Sequence, residues 1–580
     1  MKDKNLDYSS MIGLFLILLI LTIFTYFNSN NNNKNKEQEK KFLKNKEFLN
    51  SKKGYFFEKE KNHFFLLENN VLRLKISNVG GMINEVLLKK YKAYDASLLH
   101  HSKNLFLIKN SSFLYKMSFS NKKGLNIDTT NLLFQPFLFE NQKKRIQILI
   151  MRAKNPYGNG KGFLDYIYTI GKNNQYDIGF SVRTINFYPF KKLVSINLEQ
   201  KILSLEKDRN WENSYTQVYY SVLNKNSVSV KHLSEKKTEE TNISNMNWIA
   251  HKQQFFASIF VPEKKFQNIF VRSENFSSGN SLKNIQFKTL MNANKNEEIH
   301  FSFRFYFGPL DFNLLKGYKN GFENIIPFGW GFLKWINKYF FLIIFQFLEQ
   351  TSLNYGVIII LMTFVVKLIL YPITYKQYKL SAIMKLIRPE VEELNNKYKN
   401  NEDAFKKQKA MMELYKKVGI NPMSGCISTL FQIPIFYSLF KFFPTLLNLR
   451  GKSFLWVEDL TSYDSILELP FFIPFYGNHI SLLTLLYALA LLVYTKLSNN
   501  EKKDISQNEN GTIPDMSFIL YLMPVIMLLF INSYASALSL YYFTSNIINI
   551  GFLFFIKEFM LDEKKILIKI QENKINIKKT

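Results

Sequence analysis

From residue 353 onward the chain sets out five apolar runs, at about 353–373, 423–446, 480–496, 516–532 and 538–557, separated by polar loops. Each is near the roughly 20 residues that cross a hydrocarbon core of about 30 Å. Backbone inside lipid must satisfy its own hydrogen bonds, so such runs can fold only as helices packed side by side. A further run, Met11–Phe27, reads MIGLFLILLILTIFTYF. The Asn28-Ser29-Asn30-Asn31 that follows offers no small-residue processing site. Residues 1–28 are therefore expected to form an uncleaved anchor, and the Asn/Lys/Glu-rich stretch 29–54 a flexible tether.

Between these membrane parts the pattern changes. Hydrophobic residues make up 47 % of the chain, yet the mean hydropathy is only −0.12, as for spans joined to a water-soluble domain. Residues 55–327 supply that domain. Val71–Ser77 (VLRLKIS) places Leu72, Leu74 and Ile76 on one face at period two. Gly80-Gly81 then offers a tight turn, and Met82–Lys90 resumes as a strand. Asp165–Gly171 with Tyr176–Asn186 reads as another hairpin, and Trp248–Val261 and Ile299–Phe307 as further strands. This many strands predict two packed antiparallel sheets. The stretch 328–352 (FGWGFLKWINKYFFLIIFQFLEQT and the Ser352 that follows) is aromatic-rich, and its clean apolar part is too short to span. It predicts a helix lying in the interface, with Trp330 and Trp335 at headgroup level.

Basic residues orient the spans. Successive connections from 374–420 to the tail 557–580 carry 11, 2, 3, 0 and 7 Lys and Arg. The positive-inside rule places 374–420, 496–515 and the tail in the cytoplasm, with the β-domain outside and the N-terminus inside. Lys34, Lys36, Lys40 and Lys41 flank the first run on the wrong side. The alternation over five connections outweighs that one flank. Within 374–420, Leu380, Ile383, Met384, Ile387, Val391 and Leu394 follow helical spacing. A helical hairpin is predicted, kinked at Pro389, turning at Asn400-Asn401 and returning over Phe405–Val418.

The chemistry is sparse. Lys367 sits inside the first of the five runs, with Thr363 four residues earlier on the same face. An intramembrane cation either snorkels to the headgroups or faces a wet cavity. Ser424, Ser428 and Gln432 repeat at four-residue spacing in the second run, and Tyr542, Ser545 and Asn546 cluster in the last. Three polar stripes and one cation favour the cavity. Seven His form no metal-binding pair, and the single Cys426 excludes a disulfide. Gly451-Lys452-Ser453 lacks the first glycine of a P-loop, where Leu446 stands. No nucleotide site, metal or other cofactor is expected, and no enzyme. The formal charge of +30 is mostly dispersed Lys in an Asn-, Ile- and Phe-rich chain, which argues against a DNA-binding face.

These residues carry a resemblance. NYGVIIILMTFVVKLILYPITY at 354–375, with the following KQYKLSAIMKLIRPEVEELNNKY, is similar to the core of the YidC-type membrane protein insertases, of the Gram-negative bacterial kind. So are LYKKVGINPMSGCISTLFQIPIFYSLF at 414–440 and LMPVIMLLFINSYASALSLYYFTSN at 522–546. The outer domain resembles the family more thinly, through ISNVGGMINEVLL, WIAHKQQFFASIFVP and FYFGPLD. The resemblance implies an α+β membrane protein of the cell inner membrane. Its parts would be the anchor 1–28, tether 29–54, periplasmic β-supersandwich 55–327, interfacial helix 328–352, five-span core 353–560 with the cytoplasmic hairpin 374–420, and basic cytoplasmic tail 561–580. It further implies a hydrophilic groove carrying Lys367, Thr363, Gln432 and Tyr542, where the family commonly has Arg at the position of Lys367. The implied activity is insertion and folding of nascent membrane proteins without nucleotide hydrolysis, in contact with ribosome, lipid bilayer and Sec translocon components. Two other readings remain open at this level. A secondary transporter using the intramembrane lysine would need internal repeats. A carbohydrate-binding or epimerase-like β-domain would need a His apposed to a carboxylate, which scattered His63, His232 and His251 do not establish.

Overall fold

The computed structural model describes residues 62–579, apart from 500–515 and a number of short loop segments. The anchor, the tether, the Asn400-Asn401 turn and Lys502 and Lys503 lie outside the described residues. The chain divides into two units. One is β-rich and runs to Phe328, with Pro444–Lys452 added from much later in the sequence. The other is helical and comprises Gly329–Phe443 and the chain from Ser453.

In the β-rich unit all strand pairs are antiparallel. A nine-stranded sheet runs from Ser227–His232 at one edge to Phe134–Asn141 at the other, with Phe163–Gly171, Asp177–Ile185 and His300–Pro309 inside it. A six-stranded sheet is centred on Leu193–Leu203 and Ser281–Asn292. A third sheet of four strands contains the expected hairpin Leu72–Ser77 with Ile83–Asp95. Period-two alternation fills the core: Leu164, Tyr166, Tyr168 and Ile170 are buried, and Ile178, Phe180 and Val182 pair with them. Phe180 stacks on Phe305, centroids 5.3 Å apart, and burying each such ring contributes about 1.5–3 kcal/mol. Gly80 and Gly81 take φ +74° and +61°, the left-handed pair a tight hairpin turn requires. Gly81 O accepts from Tyr168 Oη at 2.6 Å and Tyr115 Oη at 3.1 Å, which pins the turn to the core. The expected single strand Trp248–Val261 is two, Met246–Lys252 and Phe256–Pro262. Gln253 N donates to Phe256 O at 2.8 Å and folds the chain back between them.

The β-rich unit also holds two short helices, Arg209–Tyr215 (α1) between strands and Phe312–Gly317 (α2) after the last strand, and the first element of the helical unit is Gly331–Ile336 (α3). It runs through a π-turn, Asn337–Phe341, into Leu342–Glu349 (α4). One face of this stretch packs on the protein through Ile336, Phe341, Leu342 and Phe345. The other leaves Trp330, Phe332, Trp335, Tyr339 and Phe347 exposed. Tyr355–Leu386 (α5) is capped by Asn354 Oδ1, which accepts from Gly356 N at 2.8 Å. Its 32 residues measure about 48 Å at 1.5 Å each, so it outlasts a bilayer core. Arg388–Lys397 (α6), Ala404–Val418 (α7) and Met423–Phe442 (α8) follow. Pro389 does not kink an arm: the break falls at Ile387, and Pro389 occupies the first turn of α6, where its missing N–H costs nothing. Leu482–Asn499 (α9), Met516–Ile531 (α10), Ser536–Phe555 (α11) and Glu563–Lys579 (α12) complete the unit. Among the described residues two helices are long and apolar enough to cross a membrane, Tyr355–Leu386 and Ser536–Met560, while α9 and α10 supply shorter apolar helices.

Candidate functional site in the helical unit

Thr363 and Lys367 lie one turn apart on α5 and both are buried, Lys367 to 8 % exposure. Thr363 Oγ1 donates to Ile359 O at 2.7 Å, so its hydroxyl is spent on its own helix. Lys367 has no hydrogen-bond or ion-pair partner among the described residues. An ammonium in that position is tolerated only where water or a polar guest can reach it.

Tyr542 gathers three helices. From α11 its hydroxyl donates to Phe436 O of α8 at 3.2 Å, its ring stacks on Phe436 at 5.1 Å, and Tyr487 of α9 lies 5.7 Å away. Gln432 stands one turn before Phe436 and is exposed. No described contact joins it to Lys367. The side chains of Ser424 and Ser428 lie outside the described residues. Ser545 and Asn546 are buried, and Asn546 Nδ2 donates to Tyr542 O at 2.8 Å.

The polar stripe of α11 is longer than the three residues read from sequence. Ser536, Ser539 and Asn549 are also buried. Ser539 Oγ meets Thr484 Oγ1 of α9 at 3.0 Å, and Asn549 O accepts from Tyr378 Oη of α5 at 3.3 Å. Its signal was present as a three-to-four-residue spacing of Ser, Tyr and Asn from 536 to 549. Asn337, in the π-turn, is buried and donates to Ser438 O of α8 at 2.9 Å. An amide inside an aromatic run was the clue there.

The polar segments form a second cluster. Ile387 and Val391 beside and on α6, Leu414 and Val418 on α7, and Ile566 and Ile570 on α12 share one apolar core. Lys385 pairs with Glu563 at 3.1 Å, and Lys574 with Glu390. Asn573 Nδ2 donates to Val418 O at 3.1 Å, completing the end of α7. The C-terminal segment is thus a third helix of the hairpin.

Among the described residues of the β-rich unit, His101 and Glu206 form an apposed His and carboxylate that sequence reading did not single out. His101 Nε2 lies 3.1 Å from Glu206 Oε2. Arg450 Nε, from the added segment, donates to Glu206 Oε1 and Oε2 at 2.8 and 3.0 Å. The carboxylate and its guanidinium partner are sealed, with Arg450 and Glu206 side chains 4 % and 8 % exposed. Burial alone would raise the Glu206 carboxyl; Arg450 and His101 outweigh it and hold it low. Neighbouring Glu212 is pushed up to about 8 by burial and by Glu206. This is a buried fastening for Pro444–Lys452, not an open acid–base cleft. Among the described residues His63, His232 and His251 meet no carboxylate. A trough of about 630 Å³ with Gln175, Asp177, Glu263 and Arg304 in its lining contains no His, and no metal-binding cluster of His, Cys, Asp and Glu occurs among the described residues.

Comparison with known proteins decides the family. The profile described as "60Kd inner membrane protein" matches residues 347–564, and that described as "YidC periplasmic domain" matches 66–343. The membrane protein insertase YidC of Parabacteroides distasonis is 36 % identical over 529 residues, 88 % of this chain and 80 % of that one. The chain belongs to the YidC family of membrane protein insertases. YidC of Bacteroides fragilis is 31 % identical over 91 % of this chain and 82 % of its own. A crystal structure of an active YidC insertase is also similar, at 16 % identity and TM-score 0.34, covering 87 % of this chain and 94 % of that one. As a YidC-type protein the chain has a β-rich periplasmic domain and membrane-spanning helices of the inner membrane. Its activity is that of a YidC-type membrane protein insertase.

Proposed function

We propose that this YidC-family chain inserts nascent membrane proteins through a hydrophilic groove among α5, α8, α9, α10 and α11, which act as a five-span core. The groove opens to cytoplasm and lipid, and both termini face the cytoplasm. The observation that carries this reading is Lys367, buried in an apolar helix without a described partner, on a helix that packs against α11 with its polar stripe. A nascent hairpin would lodge its short hydrophilic outer segment near Lys367, Thr363, Gln432 and Tyr542, sparing it the full cost of crossing hydrocarbon. Its apolar span then passes into lipid. At about −0.3 to −0.6 kcal/mol per apolar residue, a span of about twenty supplies several to ten kcal/mol, enough to carry a short tail across without ATP. The Lys-rich cluster of α6, α7 and α12 faces the ribosome, and the chain works alone or beside Sec translocon components.

A photocrosslinking amino acid at Gln432 tests the reading, because this side chain is exposed and its replacement disturbs no described contact. Stalled nascent chains bearing one short span should crosslink there. Adducts obtained only from positions in the β-rich unit would move client contact out of the helical unit.

A further inference from the structure

Between the segment 444–452 and α9 the chain forms a small β-hairpin, Leu467–Ile473 paired with Gly477–Ile480. Its base is fixed by a buried carboxylate. Asp464 accepts from Ser481 Oγ, from Leu483 N at 3.1 Å and from Trp456 Nε1 at 3.1 Å, which ties the hairpin to the first turn of α9. Its tip is fixed as well. Asn532, at the end of α10, donates through Nδ2 to Tyr476 O at 3.0 Å and His479 O at 2.8 Å. Ser533 Oγ donates to Tyr476 O at 3.0 Å. His479 Nε2 meets Asn532 O at 3.0 Å. The hairpin is therefore held along the rim formed by the start of α9 and the end of α10.

What this rim displays is apolar. Leu455, Ile466, Leu467, Phe471 and Phe472 are 72, 51, 55, 60 and 72 % exposed. Glu468 is the only formally charged residue from 466 to 480. Below the rim, α9 exposes Leu489 and Val493, and α10 exposes Val525 and Phe530, apolar helix faces that meet hydrocarbon in the five-span reading. Contiguous exposed apolar surface of this kind marks a contact site, and aromatic side chains gather at the level where hydrocarbon meets headgroups.

We propose that the hairpin 466–480 is an interfacial anchor that lays Phe471 and Phe472 into the outer leaflet and so fixes the outer ends of α9 and α10. The occupant is lipid, because the patch is held at the ends of two helices that themselves expose apolar side chains and carries almost no charge. The proposal rests on the five-span insertase reading, which places this connection outside.

The test uses the full chain in nanodiscs of phosphatidylethanolamine and phosphatidylglycerol. With Cys426→Ser as background, nitroxide labels are placed singly at Phe471→Cys, Phe472→Cys and, for comparison, the exposed polar Asn478→Cys. Collision with oxygen and with a water-soluble nickel chelate is measured at each. Lipid contact predicts high oxygen and several-fold lower nickel collision at 471 and 472 than at 478. Equal, high nickel collision at all three positions would overturn the anchor. Labels shielded from both agents at 471 and 472 would overturn it too, showing a protein surface, this chain's or another's, on the patch. Client insertion is assayed in the same discs. Wet labels in an insertion-competent protein sink the anchor alone, whereas failure of α9 and α10 to integrate sinks the five-span reading with it.

Discussion

His251 shows how one buried side chain can set a pH response. It is 1 % exposed, its Nδ1 lies 2.6 Å from Gln200 Oε1, and Gln200 Nε2 donates to Ser258 Oγ at 3.1 Å. Burial pushes the imidazole down from 6.5 to about 3. The unfolded ring takes up a proton as pH falls below about 6.5, while the folded ring resists until about 3. The β-rich unit therefore loses stability across that window, on the order of a few kcal/mol by its lower end, and is unaffected above it. Thermal unfolding of the wild type should fall more steeply between pH 6.5 and 4.5 than that of His251→Gln. Parallel curves would show that the ring does not stay neutral. The sequence offered seven histidines with no way to rank them. What separates His251 from His101 is partner choice across strands distant in sequence, and only the fold supplies it. Lys367 was the opposite case, a charge in an apolar run that needs no fold to be noticed.

At the level of elements, the apolar runs at 353–373 and 538–557 fall on the two described helices long and apolar enough to cross a membrane, because such a helix must be apolar along most of its length whatever its neighbours. Breaks were harder. Pro389 looked like a kink within one arm, but a proline is as well placed in the first turn of a new helix, and the choice between these depends on where Ile387 is buried. The Gln253-Gln254 turn was hidden because β-propensity on either side of it is high. The tail was legible as basic but not as a partner of the hairpin. Ile566 and Ile570 complete a core that α6 and α7 leave open. Truncating such a buried isoleucine to alanine costs about 2–5 kcal/mol. Ile570→Ala, and more so removal of residues 562–580, should therefore raise amide exchange across Ala404–Val418 while leaving exchange in α11 unchanged. Unaltered protection of Ala404–Val418 after the truncation would mean that α12 is a separate tether rather than a structural third helix.

For the molecule as a whole, the sequence separated a β-rich part from a helical part, since period-two alternation and long apolar runs are different signals. It could not show that Pro444–Lys452 belongs with the β-rich unit. That assignment rests on Arg450 meeting Glu206, 244 residues away. Removing either partner alone would strand a buried charge at a cost of about 3–5 kcal/mol, so the segment is firmly held. In the proposed reading the helical unit works through Lys367 and a stripe of small polar groups on α11, and that reading stands on the cation. The most direct measurement is insertion of a single-span client with a short acidic tail, in cells depleted of the native copy and carrying Lys367→Arg, Lys367→Ala or Lys367→Glu at equal abundance. The account predicts near-full insertion with Arg, a reduced level with Ala, and a loss of about tenfold with Glu, the equivalent of roughly 1.4 kcal/mol in the barrier. Full insertion by Lys367→Glu would contradict it.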